Sequence, residues 1–159
     1  MKSTRNFLIF ALVAIMLFSL VGCFKQEGTI GAVVDKSEVG KITLSLGDPD
    51  SEQYTVDGAT KDAVFTFVLN NQKLTEDKER IDTVRKHIES LDNPVYVGLQ
   101  TNDGDDIVIM VDKDTGDFVI AYVITYGDTT GITYDYRYAS PEGEGFDIEA
   151  IMELVEEYK

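Results

Sequence analysis

The chain has 159 residues, 43% of them hydrophobic, with a single cysteine and a formal net charge of −15. That length suits one domain with a real core, and one cysteine excludes an intrachain disulfide, so stability must come from packing. A surface this acidic repels phosphate backbones and speaks against nucleic acid as a partner.

Residues 1–6 carry two cations, Lys2 and Arg5, and no acid. An apolar run of 15 residues follows, from Phe7 to Val21. As a helix it reaches about 22 Å, short of the ~30 Å hydrocarbon core. A short apolar run behind a basic start reads as an export segment rather than a permanent span. It closes on Leu20-Val21-Gly22-Cys23. These four residues resemble the lipobox of bacterial lipoprotein precursors, in which an aliphatic residue, a small or aliphatic one and Gly or Ala precede Cys. The resemblance covers residues 1–23. It implies a signal peptide over 1–22, a diacylglyceryl thioether on Cys23, cleavage before Cys23 and often acylation of the new N terminus. The residue types suit that chemistry: Gly22 leaves a peptidase room, and Cys23 offers the thiol. One acyl chain holds a protein only marginally at ~0.8 kcal/mol per buried CH₂, whereas two or three hold it durably. The competing reading is an uncleaved anchor with an incidental cysteine. The expected location is the cell envelope, lipid-anchored on the extracytoplasmic side of a membrane. Phe24, not Asp, follows the cysteine, which permits outer-membrane sorting in a source with two membranes.

Removing residues 1–22 takes away Lys2 and Arg5 and moves the net charge from −15 to −17. Residues 24–100 hold 9 basic and 14 acidic side chains, and residues 101–159 hold 3 and 15. The default reading of this charge is solubility. With anionic headgroups nearby, the more acidic second part is expected to turn away from the membrane. That would leave turns 101–106 and 112–117 and helix 147–158 facing partners. Residues 24–28 form a tether reaching at most ~17 Å.

The expected domain spans 29–159. Thr29–Val34 reads as a first strand, and Lys41–Leu46 alternates, with Ile42, Leu44 and Leu46 on one face. Gly47-Asp48-Pro49-Asp50 is a turn, and Gln53–Val56 a short strand. Ala63–Leu69 is β-branched and aromatic, the composition of a strand buried on both faces. A helix follows over Thr75–Leu91. Thr75 is its expected N-cap, and Ile81, Val84, Ile88 and Leu91 form its apolar stripe. Four strands come next, Val95–Gln100, Ile107–Asp112, Asp117–Tyr126 and Ile132–Tyr138. Their short connections make an antiparallel meander. The second and third are apolar throughout and should be covered on both faces, whereas the fourth alternates and should lie nearer an edge. A last helix spans Asp147–Tyr158. The fold class is α+β: an antiparallel sheet, with a meander of about four strands plus N-terminal strands, packed with two amphipathic helices.

No catalytic, cofactor-binding or metal-ligating residue is assigned, and no cofactor is implied. His87 is the only histidine and lacks partners for a triad or a transition-metal site in the sequence. It reads as a partly exposed side chain. Asp112-Lys113-Asp114-Thr115-Gly116-Asp117 looks like a calcium loop but has Gly116 at its fifth position and Asp117 at its sixth, where an EF-hand needs a ligand and Gly. It reads as a hairpin turn, as does Asn102-Asp103-Gly104-Asp105-Asp106. An irregular Ca²⁺ site between these two turns stays open. Residues 107–121, IVIMVDKDTGDFVIA, resemble the hairpin of PepSY-type envelope domains, which points towards a binding or inhibitory module and carries over no site residue. Tyr134, Tyr136 and Tyr138 line one face of a strand, as core or core rim, or as a recognition stripe. The leading expectation is a lipid-anchored, non-enzymatic envelope module, with the membrane as partner through Cys23 and an envelope protein as a further one. The alternatives are a carboxylate-dependent hydrolase and a Ca²⁺-binding surface domain.

Overall fold

The computed structural model describes residues 28–46, 53–103, 106–125 and 132–157, with backbone only for Leu46 and Thr125. Cys23 and the Gly47-Asp48-Pro49-Asp50 turn lie outside these residues. The described elements are β1 (Gly28–Thr29), α1 (Ile30–Val33), a 3₁₀ turn (Lys36–Glu38), β2 (Val39–Leu46), β3 (Gln53–Val56), α2 (Gly58–Val64) running into a π-turn (Phe65–Leu69), β4 (Lys73–Leu74), α3 (Lys78–Glu89), β5 (Val95–Thr101), β6 (Asp106–Val111), β7 (Phe118–Thr125), β8 (Ile132–Ala139) and α4 (Ile148–Glu157). β2, β3 and β5–β8 form one antiparallel sheet in the order β3-β2-β5-β6-β7-β8, while β1 and β4 make a separate pair. This is an α+β fold, and its last four strands are the expected meander.

The two-sided apolar strands explain the layers. Ile109 of β6 and Ile120 of β7 point to the first face, where they join Ile42, Leu44, Val97 and Leu99 against Val64, Phe65 and Leu69 of the α2 segment and Ile151 and Val155 of α4. Met110 of β6 and Val119 of β7 point to the second face and pack against Ile81, Val84 and Ile88 of α3. The amphipathic helices α3 and α4 therefore cover opposite faces. Burying each of the three α3 side chains contributes about 1.5–3 kcal/mol.

Four expectations are corrected. Thr29–Val34 is not a strand. Only Gly28–Thr29 pairs, with Lys73–Leu74, before the chain makes one helical turn that sinks Ile30 into the core. Gly31 lets that turn press on the α2 segment, since a Cβ there would lie 2.0 Å from Asn70 Oδ1. Ala63–Leu69 is helical. The run is apolar on every side, so its period cannot be read from composition. The π-turn, closed by Asn70 N–H donating to Phe65 O at 2.7 Å, buries Phe65 and Leu69 and leaves Phe67 outside. Helix α3 starts at Lys78, not Thr75. Asp77 is the cap, accepting from the amides of Glu79 and Arg80 at 2.9 and 3.1 Å, because Thr75 is held by Ala139 in a β-bridge. Finally, the three tyrosines of β8 do not all share a face: Tyr134 and Tyr136 do, and Tyr138 does not. A bulge between Ile120 and Ala121 sets Tyr138 opposite Ile120 and Tyr136 opposite Ala121, leaving Arg137 unpaired in the ladder. Tyr138 thus packs on the first-face core and Tyr136 on the second.

Ile109 is fully buried at the centre of the sheet. Ile109→Asp should cost several kcal/mol and unfold the domain, because it buries an unpaired charge. Loss of the cooperative thermal transition in circular dichroism is the expected outcome, and a retained transition at the wild-type temperature would refute this placement.

Candidate functional site

Helix α3 crosses only one end of the second face. Under it runs a polar seam that joins the helix to the sheet. Asp112 ends β6, and its backbone closes the hairpin: its N–H donates to Asp117 O at 2.8 Å and its carbonyl accepts from Gly116 N–H at 2.7 Å. Gly116 takes φ +77° there, and its bare Cα packs against Gly145 and Phe146. Asp112 is 3% exposed, so its carboxylate needs donors. Oδ1 accepts from Asp114 N–H at 2.9 Å, and Oδ2 accepts from Thr115 Oγ1 at 2.7 Å and meets His87 Nε2 at 2.9 Å. Burial pushes the Asp112 pKa up, yet the Asp114 amide, His87 and Thr115 together bring it down to about 2. Two helical turns away, Arg80 binds Asp117 and the Ser140 carbonyl, and Ser140 Oγ donates to Asp117 at 2.8 Å.

The seam is chemically spent. The Thr115 hydroxyl donates to the same carboxylate oxygen that His87 meets, and a carboxylate brought down to about 2 is a weak base for that proton. The three carboxylates whose pKa moves, Asp35, Asp82 and Asp112, are all held down rather than raised, through donors on Ser37, on Lys86 and Arg85, and on the seam respectively. That is the state of a structural carboxylate, not of a general acid. His87 is partly exposed, as expected, at 49% of its side chain, and it also ties the helix to the hairpin. No pattern of spacing in the sequence joins residues 87 and 112.

Asp106 and Asp112 stand at opposite ends of β6, so the six-residue strand holds them about 20 Å apart. Residues 104 and 105 of the Asn102-Asp103-Gly104-Asp105-Asp106 turn lie outside the described residues. Among the described residues no group of three His, Cys, Asp or Glu side chains could hold a metal ion.

The other half of the second face is open. Two adjoining hollows of about 350 and 280 Å³ share Thr43, Gly98, Val108 and Tyr134, so they form one groove. Ser45, Gln53 and Tyr96 line its inner end, beside α3, and Lys41, Gln100, Asp106 and Ile132 its outer end. Tyr136 marks the boundary. Its hydroxyl donates to Glu89 of α3 at 3.2 Å, Arg85 lies over its ring, and burial followed by Glu89 pushes its pKa up to about 12. Tyr134, whose ring centre is 6.1 Å from that of Tyr136, falls beyond the helix and is 40% exposed. Gly98 forms part of the floor. It sits inside a continuous register between Thr43 and Val108, with no bulge to explain a glycine. Strand glycine without a bulge marks a place where something approaches the backbone closely. No helix among the described residues is long and apolar enough to cross a membrane. No family model, curated protein or solved structure matches the chain.

The seam has a pH signature. The Asp112 pKa falls on folding from 3.8 to about 2, so its charge stabilises the fold above pH ~4 and the contribution fades as pH drops towards 2. Asp112→Asn should cost about 2 kcal/mol at pH 7 and about half of that at pH 3. Denaturant unfolding of both proteins at the two pH values checks this; a pH-independent difference would refute it.

Proposed function

We propose that this chain is a lipid-anchored protein of the bacterial envelope, and that its domain is a non-enzymatic binding module for an uncharged segment of an envelope polypeptide. Leu20-Val21-Gly22-Cys23 behind a basic start and a 15-residue apolar run supports the anchor. The observation that carries the binding reading is the open groove over Gly98. The inner part of this groove, from Thr43 and Ser45 to Tyr96 and Tyr134, has hydroxyls, aromatic rings and no charge, in a protein of net charge −15. Aromatic rings beside a few polar groups give contact area and orientation at low entropic cost.

The two halves are tested separately. Cys23→Ser should abolish incorporation of a clickable fatty acid in growing cells, and labelling equal to wild type would sink the lipoprotein assignment. For the groove, a Cβ at position 98 meets only Thr43, at ordinary contact distances of 3.7 and 3.8 Å. Gly98→Leu should therefore fill the floor with a stability change within ~1 kcal/mol. Crosslinking in native membranes should recover a specific protein with wild type and lose it with Gly98→Leu. Equal recovery from a folded variant would remove the groove from the proposal.

A further inference from the structure

Among the described residues three large hydrophobic side chains are well exposed: Ile132 and Tyr134, which belong to the groove, and Phe67, at 68% the most exposed of the three. Phe67 lies elsewhere. It projects from the π-turn in the layer covering the first face, while Tyr134 lies on the second. The segment beside it is where the described chain begins. Ile30 N–H donates to Gln72 O, Gly31 N–H to Asn70 O, and Lys36 Nζ to Thr66 Oγ1. Residues 28–36 thus run along residues 66–74, with Gly28 at the Leu74 end of this strip and Lys36 at the Phe67 end. The charge of this strip is also distinctive. Residues 28–36 and 58–74 hold Lys36, Lys61 and Lys73 against Asp35 and Asp62, and Glu144 pairs with Lys73 at 2.6 Å, so the strip is near neutral in a chain of −15.

We infer that this strip is the membrane-facing surface of the domain, and that the Phe67 ring seats in the headgroup region of an anionic phospholipid bilayer. The inference rests on the proposed anchor at Cys23. A tether of ~17 Å keeps the strip within about two Debye lengths of the lipid surface at physiological salt. At that range anionic headgroups repel every acidic surface and tolerate this one. The ring then enters the boundary between headgroups and acyl chains, where an apolar side chain is buried by ~5–10 Å. Docking in this pose turns the groove with Tyr134 away from the bilayer, towards soluble or membrane-bound polypeptides.

The chain contains no tryptophan, so one introduced indole reports alone. Full-length Phe67→Trp and Tyr134→Trp, matured in a bacterial host, are reconstituted in phosphatidylcholine–phosphatidylglycerol vesicles. The emission of the Phe67→Trp protein should shift to the blue. Bromine-labelled acyl chains should quench it roughly twofold more than they quench the Tyr134→Trp protein. Ala32→Trp, exposed on the neighbouring turn, repeats the reading if the variant at position 67 does not fold. Mass spectrometry of the same samples reports lipid on Cys23. If none is present the anchor reading fails, and docking is then read after coupling Cys23, the only thiol, to a maleimide lipid in the vesicles. In either format, a strip variant quenched no more than the Tyr134→Trp protein overturns the inference. So does a blue shift that grows with protein concentration without vesicles, since a second copy of the chain then covers Phe67.

Discussion

The structure depends on two strands that are apolar on both sides. β6 and β7 bury residues on each face, and neither face can be left to water. Antiparallel sheets commonly bury one face and solvate the other. This one cannot, so a helical layer is required twice. Helix α4 and the α2 segment meet the first requirement, and α3 meets the second. The second cover is narrower. A single helix with three buried residues shields one end of a six-stranded sheet. The uncovered end tolerates exposure because its residues change character. Thr43, Ser45, Gly98 and Gln100 stand where Val and Met stand under the helix. The groove is a consequence of how far one helix can reach.

That economy explains the seam. A helix lying on one end of a sheet by three apolar side chains needs a second device to fix its position. Arg80 near its N terminus and His87 near its C terminus both reach acceptors on the hairpin and on the strand end. The cost of burying the Asp112 carboxylate is met by three donors of different kinds, an amide, a hydroxyl and an imidazole. Two are local, supplied by the turn itself, and one comes from the helix. Local donors preorganise the carboxylate whether or not α3 is seated, so His87 meets an acceptor already in place.

Much of the fold was legible because patterning and turn chemistry agree over residues 95–139. Strands β5–β8, their antiparallel order and the position of β8 at an edge all follow from short connections and alternation. The misreadings have physical sources. At Ala63–Leu69 the residues favour a strand by type, and tertiary packing of an all-round apolar run against α4 overrides that preference. At Thr75 two good capping residues compete, and the bridge to Ala139 decides for Asp77. The tyrosines of β8 follow strict alternation only if no bulge intervenes, and a bulge leaves no mark in this sequence. The candidate site was less legible than the fold. Gly98 and the open face require knowing how far α3 extends sideways, and the His87–Asp112 tie joins residues 25 apart. The proposal for Cys23 rests on its neighbours in the sequence alone, and the residue lies outside the described ones.

Charge counted along the sequence misplaces the acidic surface. The difference between residues 24–100 and 101–159 suggests two sides, one facing a membrane and the other facing away. The topology mixes them. Gly28 pairs with Leu74, Thr75 pairs with Ala139, and Lys73 bonds Glu144 at 2.6 Å. The acidic loop after β8, and turn 112–117 packed against it through Gly116 and Gly145, therefore lie at the end of the sheet where the described chain begins. Asn102 and Asp103 stand at the opposite end, beside Glu38 and Val39. An orientation based on the two halves would hold turn 112–117 away from the tether, which these pairings forbid. Electrostatics can orient the domain only through surfaces, not through halves of the sequence. The near-neutral strip around Phe67 and the acidic loop around Glu144 are neighbours, and Lys73 stands between them. With the proposed anchor at Cys23, the domain would tilt towards the strip and away from the loop, and such a tilt needs an apolar contact off the tether's own axis. Phe67 is the exposed side chain in position to make it.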